Sequence, residues 1–205
     1  MTDALADLAR GAASALGRPL IDHELDAFFK YLNLLIKWQK THRLIGSDNP
    51  VWIVEKLFLD SLLFLRVLPA QMKSMLDLGS GAGLPGIPIK IVRPEVQLVL
   101  VESRQRRTSF LASAVRELGL ESVRVIGGRV EDFMGELAGR FDAVVMRCAG
   151  HPEDLMPLAA QLAAPGGVVV ASGPPRAGPL PLGKWVTVPG ARPGKTRRFA
   201  VYRRA

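Results

Sequence analysis

Cysteine is nearly absent from this 205-residue chain: Cys148 stands alone, so no internal disulfide can form. A lone thiol suits a reducing compartment. With only three scattered histidines beside it, no Cys/His metal site is expected. Long apolar runs are missing too. The most apolar stretch, residues 57–68, is too short to span a bilayer and is interrupted by Asp60 and Arg66. No basic segment precedes the first apolar residues, and Asp3 and Asp7 break them, so the N-terminus does not read as a signal peptide. Together these absences lead to the expectation of a cytoplasmic protein with no membrane partner.

Acidic residues are also missing from one region. Asp154 is the last of them, and residues 155–205 hold eight Lys/Arg and no Asp/Glu. Residues 1–70, by contrast, hold eight of each sign. The net charge of +8 therefore equals what the tail carries. A one-sided positive field attracts phosphates and raises encounter rates with nucleic acid. The plainer alternative is a basic tail that serves solubility.

What is present is ample apolar material, 48% of residues, enough for one α/β domain and a small extension. Residues 1–70 read as an N-terminal helical extension. Leu5, Leu8, Ala12, Ala15 and Leu16 recur at helical spacing. A second helix starts near Asp22, taken as its N-cap, with Leu25, Phe28, Phe29, Leu32, Leu35 and Ile36 on its apolar face. A third covers residues 51–68. From residue 71 to 205 the pattern alternates. Residues 75–78, 97–102, 122–126, 141–146 and 167–171 read as strands, with helices at 87–92, 104–118, 132–137 and 153–162 between them. That alternation predicts a mainly parallel sheet with helices on both faces. A Gly/Pro-rich loop follows Ser172, and residues 185–188 and 198–203 read as two more strands, antiparallel at the end of the chain.

The strongest motif is Asp77-Leu78-Gly79-Ser80-Gly81-Ala82-Gly83, where a strand runs into a glycine turn and then a helix. Glycine lets backbone approach a ligand closely, and open α/β sheets bind ligands at the carboxyl ends of their strands. Two cofactor classes use this arrangement. Residues 81–86 form a literal G-x-G-x-x-G, the dinucleotide pattern, with Glu102 placed to hold a ribose. Alternatively, the loop from Asp77 resembles motif I of the class I methyltransferases, which wraps S-adenosylmethionine, with Glu102 on the ribose hydroxyls. A carboxylate accepts two hydrogen bonds from such a diol. Pro85 and Pro88 crowd the helix start that the dinucleotide pattern needs, and too little chain remains for a separate substrate domain.

Leu84-Pro85-Gly86-Ile87-Pro88 after the loop resembles the GidB family, small-subunit ribosomal RNA guanine-N7 methyltransferases. Lys40-Thr41-His42, Leu59-Asp60-Ser61, Glu102-Ser103, Phe110-Leu111 and Arg129-Val130-Glu131 extend the likeness over nearly the whole chain. The resemblance implies the class I methyltransferase Rossmann-like sheet with a helical extension, S-adenosyl-L-methionine as cofactor, and 16S ribosomal RNA or the small subunit as partner of a monomer. It implies a cofactor shell of Asp77, Gly79, Ser80, Gly81, Gly83, Leu84, Glu102, Val130, Glu131 and Arg147. Arg129, Arg147 and Arg197 would face the RNA or the reacting base. Two departures stand out: Ser172 replaces the usual lysine after the fifth strand, and Arg43-Leu44-Ile45 replaces the usual Asn-Leu-Thr.

Guanine N7 carries a lone pair and no proton at neutral pH, so direct in-line transfer needs no general base. Alignment alone supplies up to about 7–11 kcal/mol. Accordingly, no catalytic base is assigned. Neither an exocyclic-amine motif nor a Pro-Cys pair is present; Cys148 reads as a packed thiol, His42 as a structural contact, and Trp38 and Trp52 as core. Two rival functions remain: an NAD-dependent oxidoreductase built on residues 81–86, and a non-catalytic RNA-binding relative, suggested by Ser172.

Overall fold

A computed structural model describes residues 2–147, 152–173 and 178–205, and for Thr2, Pro152 and Glu153 the backbone alone. Cys148 and the Pro174-Pro175-Arg176 stretch of the Gly/Pro-rich loop lie outside the described residues.

Helix α1 (Thr2–Leu16) buries Ala4, Leu8, Ala12 and Ala15, one stripe at three- to four-residue spacing. Helix α2 (Asp22–His42) buries Phe28, Tyr31, Leu32 and Leu35. Asp22 is its first helical residue rather than its cap; the cap position is Ile21. The free N–H of Ile21 donates to the Glu24 carboxylate at 3.0 Å, and Arg18 holds that carboxylate at 2.6 Å. The third helical segment is not one regular helix. It runs from α3 (Pro50–Ile53) through a π-helical stretch, Val54–Leu59, into α4 (Asp60–Leu62) and a 3-10 turn, Leu63–Arg66.

The remaining elements alternate: β1 (Ser74–Leu78), α5 (Gly86–Val92), β2 (Gln97–Glu102), α6 (Gln105–Glu117), β3 (Val123–Gly127), a 3-10 turn at Val130–Phe133, α7 (Met134–Leu137), β4 (Phe141–Met146), α8 (Pro152–Leu162) and β5 (Ala163–Ser172), then β6 (Lys184–Pro189) and β7 (Thr196–Arg203). They form one seven-stranded sheet in the order β3-β2-β1-β4-β5-β7-β6. Strands β1 to β5 are parallel, and β7 enters antiparallel between β5 and β6. This is the class I methyltransferase sheet. Arg197 and Arg198 therefore lie on an internal strand, and β6 is the edge on that side of the sheet.

The central strands are largely apolar because both faces are covered, with Asp77 in β1 and Asp142 in β4 interrupting them. Met75, Leu98, Leu100, Ala143, Val145 and Val170 point to the face packed by α5 and α6, with α2 packed on those two helices. Leu76, Leu78, Val101, Val144, Met146 and Val169 point to the other, where Met156, Ala159 and Leu162 of α8 cover them. The helical extension and the first face share one hydrophobic core. The β1–α5, β2–α6 and β3–α7 connections open at the carboxyl end of the sheet, which is where ligands bind in such folds.

Candidate active site

The β1–α5 loop is held open by glycine. Gly79, Gly81 and Gly83 all have positive φ, at 70°, 59° and 85°. At Gly83 a side chain would run into Ile87 and approach the Tyr31 hydroxyl at 3.1 Å. The amides of Gly79 and Ser80 both donate to the Val101 carbonyl, at 2.9 and 3.0 Å, which pins the loop to the end of β2.

Glu102, the last residue of β2, clamps two loops. Its Oε2 accepts from the Gly81 amide at 2.9 Å and its Oε1 from the Arg104 amide at 2.8 Å. Arg107 stands 3.8 Å from Oε2. A carboxylate has about four lone-pair sites, so each oxygen keeps capacity for a further donor.

Beside the loop lies a cavity of about 240 Å³, lined by Gly79, Ser103, Arg129, Val130 and Glu131, with Leu155 and Leu158 of α8 opposite. Val130 is buried, whereas Arg129 and Glu131 are exposed at the rim. Of the residues expected around the cofactor, the structure brings Gly79, Val130 and Glu131 to this cavity. Gly81 and Glu102 adjoin it through their mutual hydrogen bond. Leu155 and Leu158 carried no distinguishing motif and were not anticipated, and Ser103, part of a family segment, was assigned no role.

Asp77, Ser80, Gly83 and Leu84 sit behind this surface. Leu84 is part of the core. The buried Ser80 hydroxyl donates to the Asp77 carbonyl at 2.8 Å. Asp77 itself is fully buried; its Oδ2 accepts from the Gly86 amide at 2.8 Å, and its Oδ1 has no partner. Burial pushes its carboxyl up to about 7, against the Gly86 N–H and the charge of Arg147, which favour ionisation; Glu102 adds to the rise. Asp77 thus ties the loop to the first turn of α5. Tyr31, from α2, donates to the Ala82 carbonyl on the loop's inner side.

Arg147, expected in the cofactor shell, stands one strand away in a groove of about 520 Å³. Its guanidinium reaches Asp60 at 3.5 Å and donates to the Lys56 and Leu57 carbonyls at 2.5 and 3.3 Å. Those carbonyls belong to the π-helical stretch, whose irregular hydrogen bonding is capped by this arginine and by the Ser61 hydroxyl, 2.6 Å from Leu57 O. Arg197 meets the other Asp60 oxygen at 2.8 Å and donates to the Gly173 carbonyl at 2.9 Å. Asp60 therefore joins two of the three arginines expected at the substrate; Arg129 belongs to the other cavity. Sequence reasoning noted Asp60 as part of a family segment but assigned it no role. Ser172 ends β5 opposite Phe199. His42 packs on Trp38, ring centroids 4.9 Å apart, and Trp38 meets Phe110 edge-on. Trp52 is half-buried: it packs against the core and also lines the groove.

Comparison with known proteins bears on this arrangement. Residues 24–173 match the GidB family model, described as rRNA small subunit methyltransferase G. The chain is 40% identical over 140 residues to the ribosomal RNA small subunit methyltransferase G of Nitrosomonas europaea, covering 68% of this chain and 64% of that protein. It is 36% identical over 171 residues to the protein of the same name from Chromobacterium violaceum, covering 83% and 80%. The fold is similar to that of the O-methyltransferase TomG from Streptomyces achromogenes, solved in complex with SAM, at TM-score 0.53 and 19% identity over 85% of this chain and 87% of that one.

Proposed function

The chain belongs to the GidB family of small-subunit rRNA methyltransferases, and on that premise we propose that it transfers a methyl group from S-adenosyl-L-methionine to guanine N7 of 16S ribosomal RNA. The observation that carries the reading is the Glu102 clamp on Gly81 beside the cavity of Gly79, Val130 and Glu131. The residues fit the cofactor. Glu102 retains acceptor capacity for ribose hydroxyls, the loop offers backbone at glycine positions, and Val130, Leu155 and Leu158 offer apolar surface to an adenine. The cofactor supplies a methyl group already activated on a sulfonium sulfur.

The chain's own residues then have three tasks: hold the donor, orient the base and exclude water. Arg147 and Arg197 present guanidinium groups in the groove next to the cofactor cavity, and their planar donors suit a guanine edge or a phosphate. Both carboxylates that line this groove are held by arginine: Asp60 by Arg147 and Arg197, and Glu55 by Arg192. Asp60, the one beside the target-side arginines, does not stand free as a base. That favours a nucleophile carrying no proton, as guanine N7 does, with rate enhancement from alignment.

We further take residues 1–70 as a helical extension to a catalytic domain of residues 71–205, acting as a monomer in the cytoplasm. Among the described residues no helix is long and apolar enough to cross a membrane. Calorimetric titration with S-adenosylmethionine and with NAD tests the cofactor; binding of NAD alone sinks the reading. Incubation with methyl-labelled cofactor and small subunits from an unmodified strain tests the reaction, and mapping the labelled base tests the position. A folded, cofactor-bound protein that transfers no label would instead be an RNA-binding relative.

A further inference from the structure

Two cavities adjoin on one side of the molecule. One, of about 470 Å³, lies against α1; the other, of about 520 Å³, holds Asp60, Arg147 and Arg197. They share Glu55, Leu59, Lys195 and the turn residues Gly190, Ala191 and Arg192, so they form one groove. Its walls are the helical extension and the β6–β7 turn, at the carboxyl end of the sheet.

At the junction an ion pair crosses the groove. Arg192, 59% exposed on the turn, meets Glu55 of the π-helical stretch, 21% exposed. The turn does not depend on it. Gly190 N–H donates to the Lys195 carbonyl at 2.7 Å and Lys195 N–H to the Arg192 carbonyl at 3.2 Å.

The charge of the groove is positive once its internal pairs are set aside. Each acid has a partner: Asp7 with Arg10 at 2.6 Å, Asp60 with Arg147 and Arg197, and Glu55 with Arg192. Lys56 and Lys195 line the groove with no carboxylate partner among the described residues. A phosphodiester offers arginine a two-oxygen, charge-assisted contact, whereas an exposed ion pair holds its arginine weakly.

We propose that this groove binds the phosphodiester backbone of the RNA beside the target base, and that Glu55 occupies Arg192 as a stand-in until a phosphate displaces it. The proposal rests on the RNA-methyltransferase reading and adds to it a binding track and an internal competitor. The groove passes from the target-side arginines to the turn, so it takes the flanking strand rather than the reacting base.

The test is binding of a short labelled single-stranded RNA, measured over a salt series, to wild type, Glu55→Gln, Arg192→Gln and the double variant. Thermal melting and S-adenosylmethionine binding serve as folding controls. Glu55→Gln should tighten RNA about two- to fivefold, the range for loss of an exposed ion pair. Arg192→Gln should weaken it and lower the salt slope by about one. In the Arg192→Gln background, Glu55→Gln should change nothing, because its effect acts only through Arg192. Variants that keep cofactor affinity yet leave RNA affinity and slope unchanged would overturn the proposal. So would a Glu55→Gln effect that persists without Arg192. Methyl transfer by the wild type is scored separately. Transfer with no change in RNA binding sinks the groove alone, while the predicted binding pattern without transfer sinks the catalytic reading alone.

Discussion

Tyr31 donates its hydroxyl hydrogen bond to the Ala82 carbonyl, joining α2 of the helical extension to the glycine loop across 51 residues of chain. The ring is fully buried and stacks on Phe58 of the π-helical stretch, centroids 5.2 Å apart at 13°. The extension is thus the floor under the glycine loop as well as a wall of the groove that holds Asp60.

Tyr31→Phe tests the floor. The stack survives, but Ala82 keeps a buried carbonyl without its donor, at a cost of about 1–3 kcal/mol. Denaturant unfolding should show that loss, and S-adenosylmethionine binding should weaken with it. Unchanged stability and affinity would mean the hydroxyl plays no part.

Gly86→Ala tests how closely α5 sits on β1. An added Cβ would lie 2.7 Å from Asp77 Oδ2 and 2.8 Å from a Leu100 methyl. Overpacking of this kind costs about 1–3 kcal/mol. The midpoint of unfolding should fall, and the Asp77 contact to the Gly86 amide should be strained first.

The buried carboxyl of Asp77 carries a pH signature. Its pKa is raised from 3.8 to about 7 in the folded state. The folded protein therefore holds a proton that the unfolded chain has released. The stability this group contributes is full below about pH 4 and is lost as pH rises to about 7, with a ceiling of about 4 kcal/mol. Asp77→Asn should gain stability relative to wild type over that window and run parallel to it above. Parallel curves from pH 4 to 7 would show that Asp77 titrates normally.

Glu102→Ala removes the clamp and the ribose acceptor together. Hydrogen bonds to a charged group contribute about 1.5–3 kcal/mol, so S-adenosylmethionine affinity should drop roughly ten- to a hundredfold. Calorimetry measures it directly. Wild-type affinity would place the ribose elsewhere.

Asp60→Asn should behave differently. It leaves Arg147 and Arg197 without their shared anion, in a place where Asp60 is only 18% exposed. Methyl transfer should fall while S-adenosylmethionine affinity holds, because the cofactor cavity contains neither arginine. An equal loss in both would place the arginines at the cofactor.

The strands were readable because parallel strands covered on both faces must be largely apolar, as residues 75–78 and 141–146 are apart from Asp77 and Asp142. The glycine loop was readable because positive φ demands glycine at 79, 81 and 83. The start of β5 was not, since Pro165, Gly166 and Gly167 look like a turn. Ala163 nonetheless pairs with Phe141, across a register shift before Val168 meets Ala143. Neither Asp60 nor Tyr31 advertised its partner, because both contacts form between segments far apart in the chain. Asp77 and Ser80 read as ligand-facing because a motif records which residues recur, not which way they point. Arg147 and Arg197 were placed at the correct end of the sheet, but their common carboxylate emerges only from tertiary packing.

The π-helical stretch at Val54–Leu59 gives this architecture a specific genetic tolerance. Such a stretch stores one residue more than regular winding accommodates. An in-frame loss of a single codon there would be absorbed locally by tightening to ordinary α geometry. Everything beyond would keep its phase about the helix axis, so Asp60 would stay beside its two arginines. What such an allele would lose is the set of carbonyls, those of Lys56 and Leu57, that the irregular winding offers to Arg147.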